Sequence, residues 1–280
     1  MRTIDVRVLT ETTASLLVDA NYRIPPDILT ALRAAADTEE SDIGRQTLAH
    51  LVQNYEVAAA EGLPVCQDSG VTVVVLETGQ DVHWVGGSIE RAIFAGITQG
   101  ISNGFLRWSV VGDPLARRML SGAPPGVIHY EIVEGDGVRL TVASKGFGAE
   151  NMSALRMFTP ADGTAAVQDF VVDTVERAGA NACPPIIVGV GIGGTFEKAA
   201  WLAKKAVLRP IDQRHPRAET AALEADLLQR INDLGIGPQG LGGTVTALAV
   251  NVEVYPTHIA GLPAAVNLGC HSNRRISIDL

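Results

Sequence analysis

Hydrophobic and polar positions change rhythm along this chain. Over residues 1–62 apolar side chains recur three and four apart, the period of a helix, across 10–20, 26–36 and 41–60, with Pro25 and Pro26 opening the second stretch. From Gly62 the texture differs. Residues 71–77 are a β-branched run that ends in the turn residues Gly79, Gln80 and Asp81. Residues 85–104 predict a helix, weakened by Gly96, Gly100 and Gly104. Two further strand-like runs, 127–133 and 138–143, flank Glu134-Gly135-Asp136-Gly137 and predict a hairpin. Residues 151–157, 165–178, 195–208 and 217–234 predict helices, 186–191 and 245–254 strands, and 264–268 form a short apolar segment. Helices and strands mix without strict alternation. The pattern predicts a mixed α/β (α+β) fold in one domain, with a helical N-terminal part over 1–62 and a sheet-and-helix body over 63–280.

Composition narrows the function. In 280 residues, 46% are hydrophobic and 19% charged, which excludes a disordered chain and leaves material for a sizeable core. A net charge of −9 gives no bulk attraction to nucleic acid or anionic lipid, so an anionic ligand needs a local site. Apolar runs such as VTVVVL fall far short of the ~20 residues that span a bilayer. No secretory signal is visible, and the expected compartment is the cytoplasm.

The chain has three cysteines, Cys66, Cys183 and Cys270, with no CxxC pair. An odd count in a reducing compartment argues against a disulfide framework. Two readings stand side by side: buried thiols acting as small apolar residues, or loop thiols that converge. Each lies in polar, turn-forming company (PVCQDSG, ACPP and LGCHS), and converging thiolates suit iron–sulfur chemistry better than a lone metal ion.

Two glycine-rich segments invite an anion. Gly189, Gly191 and Gly194 satisfy G-x-G-x-x-G between a strand and a helix, the form of a dinucleotide fingerprint. The second strand and its acid are missing: the helix meets Arg209-Pro210 and then Asp212. The competing reading is a tight packing turn. Lys145-Gly146-Phe147-Gly148 before Glu150 and Asn151 reads either as a cation with free amides for a carboxylate or as a capped helix start beside a solvated lysine.

In order along residues 64–275 stand PVCQDSG, LRWSVV, KGFGAENMS, CPPIIVGVGIGGTFEKAAWLAKKAVLRP and GLGGTVTALAVNVEVYPTHIAGLPAAVNLGCH. Together they resemble the signature blocks of the alpha subunit, or N-terminal part, of class I iron–sulfur-dependent fumarate hydratases, a family that includes L(+)-tartrate dehydratases. Two departures accompany the resemblance. Residues 117–124 read RRMLSGAP where the family usually has an Asn-Thr-containing stretch, and Ser69 stands where Thr is common.

The resemblance implies a 4Fe–4S cluster held by Cys66, Cys183 and Cys270. Three thiolates for four irons leave one iron open as a Lewis acid for a substrate hydroxyl or water, which suits hydration rather than electron transfer. The implied reaction is reversible hydration or dehydration of a C4 dicarboxylic acid, adding water to fumarate to give malate or removing it from tartrate to give oxaloacetate. Asp68 and His258 are the candidate proton carriers, with Gln67 as a hydrogen-bond donor. Against these stand an Asx turn at Asp68 and a structural role for His258. Arg107, Lys145, Gly146 and Gly148 are candidates for substrate carboxylates, with a surface ion pair the alternative at Arg107. His271 follows a ligand and orients it, and Arg274 either binds an anion or offsets the cluster's charge. The chain stops five residues after the last block, which predicts a separate beta subunit and a hetero-oligomer. Two other functions compete: a dinucleotide-binding oxidoreductase using 189–194, and a non-catalytic iron–sulfur subunit.

Overall fold

A computed structural model describes residues 2–120 and 124–280, so Ser121, Gly122 and Ala123 of the divergent 117–124 stretch lie outside the described residues. The fold is mixed α/β. Two compact units emerge, each discontinuous in sequence: unit 1 from Met1–Pro25, Tyr55–Gly146 and Arg274–Leu280, and unit 2 from Pro26–Asn54 and Phe147–Asn273.

Unit 1 is organised by β2 (Val71–Gly79), in which Val73, Val74, Val75 and Leu76 are all buried. A strand sunk along its length must bond its N–H and C=O groups on both edges. It does so with β4 (Val127–Val133), parallel, and β5 (Val138–Lys145), antiparallel, while β10 (Arg275–Asp279) pairs with the far edge of β5. The order is β10-β5-β2-β4. The hairpin expected across Glu134–Gly137 is therefore not formed: β2 lies between its two arms. Helices α1 (Arg7–Tyr22) and α4 (Ile89–Asn103) supply Leu9, Leu17, Ile93 and Ile97 to a core shared with Val74, Leu140 and Val142. Gly96, costly to α4 by propensity, is its contact point: a Cβ there would strike the Thr10 carbonyl and Thr13 Cβ. The helical reading of the N-terminal part fails at its start, where β1 (Arg2–Asp5) pairs in parallel with β3 (Val82–Val85). That pairing also takes Val85, where the pattern predicts a helix to begin; α4 starts at Ile89.

Unit 2 contains α2 (Pro26–Thr38) and a sheet in the order β6-β9-β7-β8. Its strands are β6 (Ala154–Phe158), β7 (Ile186–Gly193), β8 (Ala247–Tyr255) and β9 (Leu262–Gly269). The helix expected at 151–157 is corrected. A four-residue helix α5 (Phe147–Glu150) ends in a turn, and β6 pairs antiparallel with the edge of β9. Ser153 directs the change: its hydroxyl accepts the Leu268 N–H and an Asn267 amide proton, tying the turn to that edge. On one face, α6 (Gly163–Ala178) and α8 (Ala218–Asn232) bury Val171, Val175, Leu227 and Ile231 against Val188, Val190, Val252 and Val266. Each such side chain contributes about 1.5–3 kcal/mol. On the other, α7 (Phe196–Leu208) presents Ala199 and Ala203. The helix α3 (Asp42–Glu61) runs through residues of both units.

Candidate active site

The two cysteines of unit 2 are 87 residues apart in sequence, and strand direction brings their loops together. Cys183 lies just before β7 and Cys270 just after β9. These strands are antiparallel with Ile187 opposite Gly269, so the start of one adjoins the end of the other. The His271 N–H donates to the Cys183 carbonyl at 3.4 Å and joins the loops. Cys183 has a left-handed backbone, φ 55°. Cys270 Sγ lies 3.1 Å from Ser272 Oγ. Both thiols are half-buried, and neither they nor Cys66 form a disulfide. Soft, all-thiol donors on strand-end loops fit an iron–sulfur group. Among the described residues no three His, Cys, Asp or Glu side chains stand ready to hold a metal ion. Cys183 and Cys270 belong to unit 2 and Cys66 to unit 1.

In unit 1, Cys66 sits on the loop that enters β2, with its Sγ 3.4 Å from the Gln67 side-chain carbonyl. Four contacts fasten this loop. The Val65 N–H donates to the Asn21 carbonyl at 2.8 Å. Asp68 Oδ1 accepts the Gly70 N–H at 2.9 Å, an Asx turn. Ser69 Oγ accepts the Arg107 N–H at 2.8 Å. Gly70, at φ 68°, lies so close to the Lys145 carbonyl that a Cβ would collide with it. Asp68 Oδ2 lies toward the end of β5. A Cβ on Gly146 would lie 3.1 Å from Asp68 Oδ2 and 3.5 Å from Arg274 Nη2, so the missing side chain is what lets the two groups flank that backbone. Lys145 is buried, with its Nζ 3.4 Å from the Gly146 carbonyl, whereas the Arg107 side chain is exposed.

Other candidates are placed differently. Gly148 is exposed, and its backbone approaches the Asn181 carbonyl in the turn that leads to Cys183. His258 is exposed after β8, and its Nδ1 accepts the Ala260 N–H at 3.2 Å. Since β8 runs parallel to β7, His258 lies beyond the opposite end of the sheet from the cysteine loops, about 25 Å along eight strand residues. The 189–194 segment serves packing. Cβ atoms on Gly189 and Gly191 would strike the Ala203 and Ala199 carbonyls, and one on Gly193 would strike that of Tyr255. The glycines let α7 lie directly on β7.

The sequence reading left out Asn21, a fully buried hub of unit 1. Its carbonyl holds Val65, its amide donates to Leu17 O and Ser144 Oγ, and its Oδ1 accepts from Arg274 Nη1 at 2.8 Å. The available signal was a polar residue on the apolar face of a helix, next to Leu17 and Ala20. Arg274 is 2% exposed, and its Nε has no hydrogen-bond partner among the described residues. Glu39 was missed too. Its buried carboxylate accepts the N–H groups of Ser41, Thr244 and Val245 at 2.8–3.0 Å. Burial acts to raise its pKa, and these bonds together outweigh burial and hold the group below the usual glutamate range.

The sequence family described as fumarate hydratase (Fumerase) matches residues 10–279. A Methanocaldococcus jannaschii protein provisionally named L(+)-tartrate dehydratase subunit alpha is 38% identical over 276 residues, 95% of each chain. The L(+)-tartrate dehydratase subunit alpha of Escherichia coli UTI89 is 31% identical over 273 residues, covering 96% of this chain and 90% of its own. That of strain K12 is 30% identical over the same span. No helix among the described residues is long and apolar enough to cross a membrane.

Proposed function

The chain belongs to the fumarate hydratase (Fumerase) family, and on that premise we propose that it is the alpha subunit of a hydro-lyase acting on a C4 dicarboxylic acid. The reaction is hydration of fumarate to malate and its reverse, or dehydration of tartrate to oxaloacetate, in a cytoplasmic hetero-oligomer with a beta subunit. Residues 1–280 act as one functional piece of that assembly. The observation that carries the reading is the meeting of the Cys183 and Cys270 loops at one end of the unit 2 sheet. With Cys66, they would hold a 4Fe–4S cluster, which when bound supplies a Lewis-acidic iron toward a substrate oxygen.

The chain's own groups do the rest. Asp68, its Oδ1 fixed by the Gly70 N–H, exchanges the proton on the carbon next to a substrate carboxylate. Gln67 offers an amide hydrogen bond. Arg107, Lys145 and the Gly146 and Gly148 backbone bind carboxylate, and the beta subunit completes the cationic set. A role for His258 requires substrate to reach the far end of the unit 2 sheet, and an unchanged kcat in His258→Asn would remove it from the set.

Anaerobic reconstitution with iron and sulfide tests the cluster. The full chain should gain an air-sensitive band near ~400 nm, typical of thiolate-bound clusters. Cys66→Ser, Cys183→Ser and Cys270→Ser should each lose it. Retention of the band in any one variant would contradict the ligand set. With the co-expressed beta subunit, the reconstituted chain should interconvert malate and fumarate, or dehydrate tartrate. Full activity of the chain alone would contradict the need for a partner.

A further inference from the structure

Residues 236–246 of unit 2 read IGPQGLGGTVT. Four glycines, 237, 240, 242 and 243, take positive φ of 68°, 76°, 84° and 132°. Gln239 does the same, at φ 54° and ψ 17°, a left-handed conformation that glycine adopts freely and a side chain resists. A loop that needed only its shape would carry glycine there as well.

The glutamine side chain has one visible use. Its Nε2 donates to the Pro184 carbonyl at 2.6 Å, and its backbone N–H donates to the same oxygen at 2.8 Å. Pro184 is the residue after Cys183. The frame behind Gln239 is fastened at many points. Gly237 N–H donates to Thr246 Oγ1 at 3.2 Å, and Gly242 N–H donates to the Ile236 carbonyl at 2.9 Å. Thr244 and Val245 are held by the Glu39 carboxylate, and Thr246 and Ala247 by Asn232 Oδ1 at 3.0 and 2.8 Å. A Cβ on Gly240 would lie 2.5 Å from Ala180 Cβ, so the loop also bears on the turn just before Cys183. Two bonds leave this rigid frame for a single carbonyl oxygen.

We propose that Gln239 is a positioning residue for Cys183: by fixing the Pro184 carbonyl it sets the direction of the Cys183 thiol. The inference rests on the reading of Cys183 as a cluster ligand, and groups that orient a ligand govern how well the site holds its metal.

Gln239→Gly isolates the effect. It keeps the backbone N–H bond, removes only the Nε2 bond, and suits the left-handed backbone, so folding is not challenged. The full chain, reduced and metal-free, is treated with iodoacetamide, and the rate at each cysteine is read by mass spectrometry. Cys183 should react severalfold faster in the variant, with Cys66 unchanged and the thermal midpoint not lowered. After anaerobic reconstitution the variant should lose its ~400 nm band about tenfold faster. An unchanged rate at Cys183 would overturn the proposal. So would acceleration at all three cysteines with a lowered midpoint, which marks Gln239 as part of general packing. If the wild-type chain takes up no cluster while Cys183 still reacts faster in the variant, the ligand reading falls and the positioning of Cys183 stands.

Discussion

Each unit buries a charge, and the two charges are kept on opposite terms. In unit 2 the Glu39 carboxylate is 2% exposed and accepts three backbone N–H groups, so it acts as a staple between the α2–α3 connection and the 237–245 loop. In unit 1 the Arg274 guanidinium is equally buried, yet among the described residues it has one side-chain partner, Asn21, and an Nε without any. A fully bonded ion is part of the scaffold. A half-bonded one beside Asp68 is poorly explained by stability alone, because burying an incompletely paired charge is costly.

Removing the staple should have the largest effect. Glu39→Ala leaves three N–H groups without a partner and should cost about 3–5 kcal/mol in urea unfolding of the chain. A cost as small as that of a surface substitution would dissolve the contrast between the units. Acid should release the same staple without mutation. The carboxyl titrates lower in the folded chain than in the unfolded one, so its stabilisation is present above about pH 4.5. It is lost as pH falls through the folded value. Unfolding curves of wild type and Glu39→Gln should therefore converge on acidification, and a gap that widens as pH falls would reverse the sign. The smallest effect belongs to Arg274→Met. It orphans Asn21 Oδ1, a loss of about 1–3 kcal/mol, but removes a buried charge, a gain of similar size. Its stability should stay within about 1 kcal/mol of wild type while hydro-lyase activity in the reconstituted assembly falls at least tenfold. A large loss of stability with normal activity in the surviving enzyme would make Arg274 a scaffold residue like Glu39.

Much of the architecture was readable where the pattern is local. The long helices of the chain and the buried strand at β7 follow from their apolar patterns. Failures came where a distant strand decided the outcome. The Glu134–Gly137 turn has good hairpin chemistry, but β2, buried along its middle, takes a partner on both edges. Residues 154–158 are a strand because β9 has an open edge, which nothing within those five residues announces. The five residues of β10 gave no strand signal because their pairing with β5 is entirely long-range. The same holds for the site. The cysteine-bearing segments were legible as loop residues in turn-forming company. Asn21 and Glu39 were not, since a buried polar residue gains meaning only when its partners, 123 and 205 positions away, are known.

The strand β10 carries a consequence for biosynthesis. Every strand of the unit 2 sheet has been made by Gly269, whereas the unit 1 sheet, begun at Val71, gains its last member only at Arg275–Asp279. On the ribosome β5 therefore waits with an open edge through the synthesis of the Phe147–Asn273 part of unit 2. Arg274, the residue just before that last strand, reaches Asn21 only then. A truncated product ending before it would carry Cys66 on an unfinished platform, and such nascent chains are the ones a chaperone would be expected to hold.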